Sequence, residues 1–272
     1  MSSMWRVAVI IPVLLVTAPS SSAQYAAPAP VAAAPAYAPS VAASLNLWRT
    51  LRQSSGYRFS DYANFLIANP DWPDSSRMRS WAEKAMQPGE NSATVLAFFA
   101  SQKPRTGNGW AGLADAYAST GQMAQALDAA REAWRSDDLD AGRESAIWSR
   151  YGGSFTRADN DDRLDALLFG KRPDDASRFL SSGSSDRQAA FAARIAMQQN
   201  APDAEARYAA VISTVTRDAG LMMDRARWLR ANNFGSAAQQ LAARDHQFTY
   251  KPIDPERFAD MPAGRTSRSS TT

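Results

Sequence analysis

The sequence predicts an all-α fold, an α-α superhelix or solenoid of stacked helix pairs, and three observations carry that reading. From Ser44 onward apolar residues recur at helical spacing, interrupted roughly every ten to fifteen residues by Gly, Asn, Pro or Asp. No stretch alternates with period two in Val, Ile and Thr, so strands are not expected. Each helical stretch carries a single apolar stripe, and stacking such helices on their neighbours builds a continuous core without a central sheet.

Taken in order, the first clear helix carries Tyr62, Phe65 and Leu66 and stops at Asn69-Pro70, because proline drives the preceding residue out of the helical region. The next is expected to hold Pro73 in its first turn and to repeat Met78, Trp81, Ala82 and Ala85 on one face. In GWAGLADAYASTGQMAQALDAAREAW, from Gly109 to Trp134, one helix presents Trp110, Leu113, Ala114 and Tyr117. The second presents Met123, Ala126, Leu127, Ala130 and Trp134, with Gly121 between the two. Large residues on one helix face small ones on the other, Ala133 included, which is the tetratricopeptide-like pattern of a helical hairpin. Further stripes follow at Leu164, Leu167 and Leu168, then Phe191, Ala192 and Ile195. The last are Tyr208, Val211, Ile212 and Val215, and finally Leu221, Trp228 and Leu229.

The helical domain is expected over 44–258, with other compositions on either side. Residues 1–23 combine Arg6, an apolar run from Val7 to Val16, and small Ser21 and Ala23, the layout of a cleavable secretory signal. The apolar run is about half the ~20 residues a spanning helix needs, so no stable membrane anchor is expected. Residues 24–43 alternate Ala with Pro28, Pro30, Pro35 and Pro39, a linker composition. Residues 259–272 turn to Gly, Ser, Thr and Arg, a tail that cannot build a core and leaves the last helices without a polar cap.

Composition and motifs exclude several chemistries. There is no cysteine in the 272 residues, which removes disulfides, thiolate metal sites, a cysteine nucleophile and a lipoprotein anchor. A formal charge of +3, with Arg interleaved among Asp and Glu, gives no nucleic-acid footprint. His246 is the only histidine, so neither a histidine metal set nor a Ser-His-Asp triad can be assembled, and it reads as a surface residue. Asp159, Asp161 and Asp162 suggest a calcium loop, but Leu164 stands where that loop needs glycine and Gly170 where it needs its closing acid. They read instead as the acidic start of a helix capped by Thr156. Gly107-Asn108-Gly109 reads as a helix start and lacks the lysine of a phosphate loop. Of the tryptophans, Trp81, Trp110, Trp134 and Trp228 fall on apolar stripes and read as core. Trp72, between Asp71 and Pro73 in a turn, is the one to test for exposure. No metal, cofactor or catalytic residue is assigned.

The segments WSRYGGSFTRADNDDRLDALLFGKRPDDASRFL at 148–180, RQAAFAARIAMQQNAPDAEARYAAV at 187–211 and GLMMDRARWLRANNFGSAAQQL at 220–241 together resemble the N-terminal superhelical part of soluble lytic murein transglycosylases. The likeness spans about residues 44–258. It implies a periplasmic protein of peptidoglycan metabolism whose family cleaves the MurNAc–GlcNAc bond to a 1,6-anhydro sugar. In that family one glutamate of a separate C-terminal domain serves as acid and then base. That glutamate sits in a Glu-Ser motif followed by Gly-Leu-Met-Gln. Glu144-Ser145 and Gly220-Leu221-Met222-Met223 imitate the two pieces, but they lie far apart and Met223 replaces the glutamine. Glu144 is therefore expected on a polar helix face beside Arg143, without a catalytic role.

The resulting expectation is the scaffold domain of a soluble lytic transglycosylase, truncated ahead of its catalytic domain and inactive alone. It would contact peptidoglycan or cell-wall proteins in the periplasm. The alternative is a stand-alone periplasmic adaptor of tetratricopeptide type, for which the hairpin at 109–134 speaks.

Overall fold

The structure is a computed structural model, and it describes residues 40–253 and Phe258. The leader at 1–23, all of the linker up to residue 39 and the tail at 259–272 lie outside the described residues.

Local chemistry at the ends sets most of the helices. Helix α1 (Val41–Leu51) is capped by Ser40, whose hydroxyl accepts from the Ala43 amide, so the helical part starts ahead of the Ser44 boundary. The Trp48 indole N–H donates to the Pro73 carbonyl at 2.8 Å and ties α1 to the turn before α3. Helix α2 (Phe59–Ala68) ends at Asn69, as the Asn-Pro pair requires, and the Asn69 amide nitrogen donates to the Phe65 carbonyl. Helix α3 (Ser75–Ala85) begins after Pro73, which therefore sits in the preceding turn and not in the first helical turn as expected. The reason is Asp74, whose left-handed backbone, φ 62°, cannot be part of a helix. Asn91 caps α4 (Ser92–Phe99) and Thr106 caps α5 (Gly107–Ser119), the latter bearing out the helix start read at Gly107-Asn108-Gly109.

Helices α5 and α6 (Met123–Trp134) form the hairpin read from the sequence, with Gly121 at φ 80° in the turn. Ala114, Ala126, Ala130, Ala133 and Trp134 are fully buried in it. Met123 is a correction, since it is exposed at the first residue of α6, where the preceding turn holds it off the core. Helix α7 (Ala141–Tyr151) leads through a 3-10 turn to α8 (Arg157–Phe169). There the Thr156 hydroxyl accepts from the Asp159 amide while Asp159 accepts from the Thr156 amide, a reciprocal cap.

Proline at its first position opens α9 (Pro173–Phe179), followed by α10 (Gln188–Gln198), α11 (Ala204–Ala210), α12 (Ala219–Ala231) and α13 (Gly235–Ala242). The stripe at Tyr208 to Val215 is not one helix. It breaks after Ala210 into a 3-10 turn that leaves Ile212 exposed.

All thirteen α-helices among the described residues pack chiefly on the next helix or the next but one in sequence, with α8 also touching α12. The fold of these residues is all-α, and they contain no strand, only an isolated bridge between Asp218 and Tyr250. The apolar interior falls into three clusters. One runs from Leu51 to Tyr151, a small one holds Leu164, Leu167, Leu168, Ala176, Phe191 and Ile195, and one runs from Ala190 to Leu241. Burial of each leucine of the α8 triplet stabilises by about 1.5–3 kcal/mol. Beyond α13 the chain returns to the start of α12, where the Ala219 amide donates to the Tyr250 carbonyl at 3.0 Å. Phe248 and Phe258 then pack on the third cluster.

Two glycines predict opposite outcomes. A Cβ on Gly107 would lie 2.9 Å from the Leu139 Cα, which is backbone, whereas one on Gly142 meets nothing within 4 Å. Gly107→Ala should lower the unfolding free energy by about 1–3 kcal/mol. Gly142→Ala should raise it by about 0.4–1 kcal/mol, both measured by urea titration. A third variant reads a titration. Glu83 is fully buried, and burial pushes its carboxyl pKa up against the Arg105 and Thr106 hydrogen bonds and the Arg79 charge. A raised carboxyl pKa stabilises below the unfolded value and is lost as pH rises through the folded one. Relative to Glu83→Gln, the wild type should therefore lose stability as pH climbs from 4.5 upward.

Candidate functional site

Four helices end in the same way. Gly121, Lys171, Asn200 and Asn233 take left-handed backbone just past α5, α8, α10 and α12. In each, a following amide closes back on the last turn: Gln122 to Tyr117, Arg172 to Leu167, Ala201 to Ala196 and Phe234 to Leu229, at 2.7–2.9 Å. This is the Schellman closure, which satisfies the orphan carbonyls of a helix end and lets the next helix start within a few residues.

The last three of these turns border a cavity of about 460 Å³. Lys171 and Pro173 come from the turn after α8, Met197, Gln198 and Asn200 from the end of α10, and Asp224, Arg227, Trp228 and Asn232 from α12 and its end. Helices α10 and α12 pack side by side, which fixes the distance between the walls. The Gln198 amide nitrogen donates to the Leu168 carbonyl at 2.7 Å, leaving its oxygen buried without a partner. The Trp228 indole N–H is likewise buried and unpartnered. Asn232 donates to the Trp228 carbonyl at 2.9 Å.

One carboxylate reaches this cavity, and it is held. Asp224 accepts from Arg194 Nε at 2.8 Å and from Arg227 Nη1 at 3.3 Å. Arg194 also pairs with Asp165 at 2.5 Å, and Arg187 joins Asp165 to Asp218, so a chain of alternating charges runs behind the wall. Burial presses the Arg194 pKa down, but Asp224, Asp165 and Asp218 outweigh it and raise it above the ordinary value. Arg194 is thus a fixed cation. Gly220 is the residue that makes room for it, since a Cβ there would lie 2.5 Å from the guanidinium carbon.

The residues singled out from sequence fall elsewhere. Glu144 is not on a polar face beside Arg143, as expected. It is buried, with one oxygen taken by Arg163 and the other by Arg178 at 2.9 Å. Arg143 is buried too and pairs with Asp115 at 2.6 Å. The Ser145 hydroxyl donates to the Ala141 carbonyl within its own helix. The neighbours of Glu144 on α7, Ile147 and Tyr151, belong to the first cluster, whereas Leu221, Met222 and Met223 belong to the last, so the two imitating pieces do not form one site.

Asp159, Asp161 and Asp162 take structural partners: Asp159 caps α8 and shares Arg135 with Asp162, and Asp161 accepts the Ser184 amide. Among the described residues no three His, Asp or Glu side chains converge as metal ligands. His246 is exposed and stacks on Phe248. Trp72 is half-buried, edge-on to Trp48 and Phe65, and among the described residues the exposed tryptophan is Trp148, 38% accessible while stacked on Trp134. The cavity residues Lys171, Gln198, Asn200, Asp224 and Asn232 went unread. Asparagine just past the helical stripes at 200 and 232–233 was the available signal.

The described residues define an all-helical protein with a polar cavity at its hairpin turns, in which no helix is long and apolar enough to cross a membrane. No protein-family model matches the chain, and neither a curated protein nor a solved structure matches it significantly.

The chain of charges behind the cavity gives a test. Arg194→Met leaves Asp224 buried without its main partner and should cost about 3–5 kcal/mol in urea unfolding, far more than the lost packing.

Proposed function

We propose that the chain is a helical scaffold of bacterial cell-wall metabolism, akin to the superhelical part of soluble lytic transglycosylases. In this reading the segment 1–23 exports it to the periplasm, its hairpins stack as a tetratricopeptide-like solenoid, and the cavity between α10 and α12 holds part of a peptidoglycan glycan.

The observation that carries the reading is the content of that cavity. It gathers one tryptophan, three amide side chains, two cations and the carboxylate of Asp224 inside the stretch that resembles the family. Amides and a flat aromatic suit a hydroxylated ring, on which tryptophan offers a wide apolar surface at small entropic cost. The unpartnered Trp228 donor and Gln198 acceptor complement the carbonyl and N–H of an acetamido group. Lys171 suits the acidic side group of a muramyl sugar, beside Arg227, which is paired with Asp224. The recurrent Schellman turns support the solenoid, since they give four hairpins one connection geometry.

Sedimentation with purified insoluble peptidoglycan tests the proposal. The wild type should pellet with the wall material, and the combined Trp228→Ala and Asn200→Ala variant should remain largely in the supernatant while keeping its helical circular dichroism. A wild type that stays in solution at every wall concentration removes the glycan reading. The alternative, an adaptor that binds protein through the α5–α6 hairpin, would then be the one to pursue.

A further inference from the structure

A second cavity, of about 300 Å³, lies among α2, α3, α4 and the segment that follows α4, away from the α10–α12 site. Its polar lining is two arginines, Arg79 and Arg105, with the hydroxyls of Ser75, Ser76 and Ser101 and the side chain of Gln102, and it contains no Asp or Glu. Arg79 is only 7% exposed. Its Nη2 donates to the Phe98 and Gln102 carbonyls at 2.6 and 3.0 Å, and its Nε is buried with no partner.

No carboxylate lies within ion-pair distance of either arginine among the described residues. Glu83, one turn along α3, turns one oxygen to the Arg105 and Thr106 amides at 2.7 and 2.9 Å. Asp74 pairs with Arg52 and Arg77. Arg105 instead donates to the Ser76 hydroxyl at 2.9 Å. The α3 N-terminus has no side-chain cap, so the positive end of the helix adds to the same field. Burial lowers the Arg79 pKa, Glu83 opposes this, and the like charge of Arg105 lowers it again.

A buried guanidinium with no carboxylate in ion-pair contact is only partly compensated by the more distant Glu83, and a second guanidinium beside the same cavity raises the demand for an anion. We propose that this cavity binds the phosphate group of a small ligand, through Arg79, Arg105 and the Ser75 and Ser76 hydroxyls. A phosphate monoester dianion balances both guanidiniums, whereas a carboxylate balances one. Tetrahedral oxygens accept from several directions, which matches donors arriving from α3 on one side and from residues 101–105 on the other. Leu66, Pro70 and Ala97 make the remaining wall apolar, so the ligand fits as a phosphate on a short hydrocarbon body.

The probes are inorganic phosphate and propyl phosphate, titrated into the whole protein at constant ionic strength held with chloride. The readouts are the Arg79 Nε–H resonance and calorimetry. Both probes should shift that resonance saturably, with propyl phosphate the tighter if the apolar wall contributes and the two equal if the source is free phosphate. Arg105→Gln, at an exposed position, should weaken binding by about tenfold without changing the melting temperature. Should that variant melt early, Ser76→Ala gives the same comparison with a smaller loss. A resonance that does not move, that chloride alone moves equally, or that responds identically in both variants overturns the proposal.

Discussion

The structure depends on arginines that reach from one helix to the carbonyl end of another. Arg163 is the centre of this arrangement. It is fully buried in α8, donates to the Trp134 and Ser136 carbonyls at the end of α6, pairs with Glu144 of α7 and lies 5.0 Å over the Trp134 ring. Three consecutive helices are thereby fixed through one side chain. Arg79 does the same for the end of α4, and Gln198, uncharged, for the end of α8. A helix end exposes carbonyls with a partial negative charge, and a neighbouring guanidinium satisfies them; at Arg163 the Glu144 carboxylate also neutralises the cation.

A chain without cysteine, in which alanine is the commonest residue of the largest apolar cluster, has reason to use such links. Alanine faces let helices approach closely but specify rotation and register weakly, since one small side chain resembles the next. Buried ion pairs add little net stability over apolar packing because desolvation offsets the Coulomb gain. Their contribution is specificity: a shifted register would leave Arg163, Arg187 and Arg194 buried without Glu144, Asp218 and Asp224. The alternating chain from Arg187 through Asp165 and Arg194 to Asp224 extends that constraint across α8, α10 and α12.

This division explains what the sequence made legible. Helical stripes, the Asn69-Pro70 stop, the Thr156 cap and the Gly121 turn are local, and each has a residue type whose backbone or side-chain preference fixes it. Glu144, Arg143 and Asp224 could not be placed by periodicity, because hydropathy reads charge as exposure and the partner that permits burial lies about twenty to thirty residues away. Met123 and Ile212 failed in the opposite direction: they are apolar residues at a helix start and in a 3-10 turn, where the spacing of a regular helix no longer applies. The placement of Trp72, beside Asp71 and Pro73, is decided by two other rings, Trp48 and Phe65, that lie edge-on to it.

Both cavities follow from the way helices end. A helix interior has no spare hydrogen-bonding capacity, so a binding surface built from helices must use side chains or termini. At the α10–α12 cavity the Schellman turns close the backbone groups internally, which leaves recognition to the side chains the turns carry, Lys171, Asn200 and Asn232. At the α2–α4 cavity the opposite holds, because α3 starts without a side-chain cap after a left-handed Asp74, and its first residues, Ser75 and Ser76, line the cavity together with two guanidiniums. The first arrangement offers amide side chains with charges of both signs beside them, and the second offers two guanidiniums with no acid in the lining. Closed and open helix termini thus give the two cavities different linings.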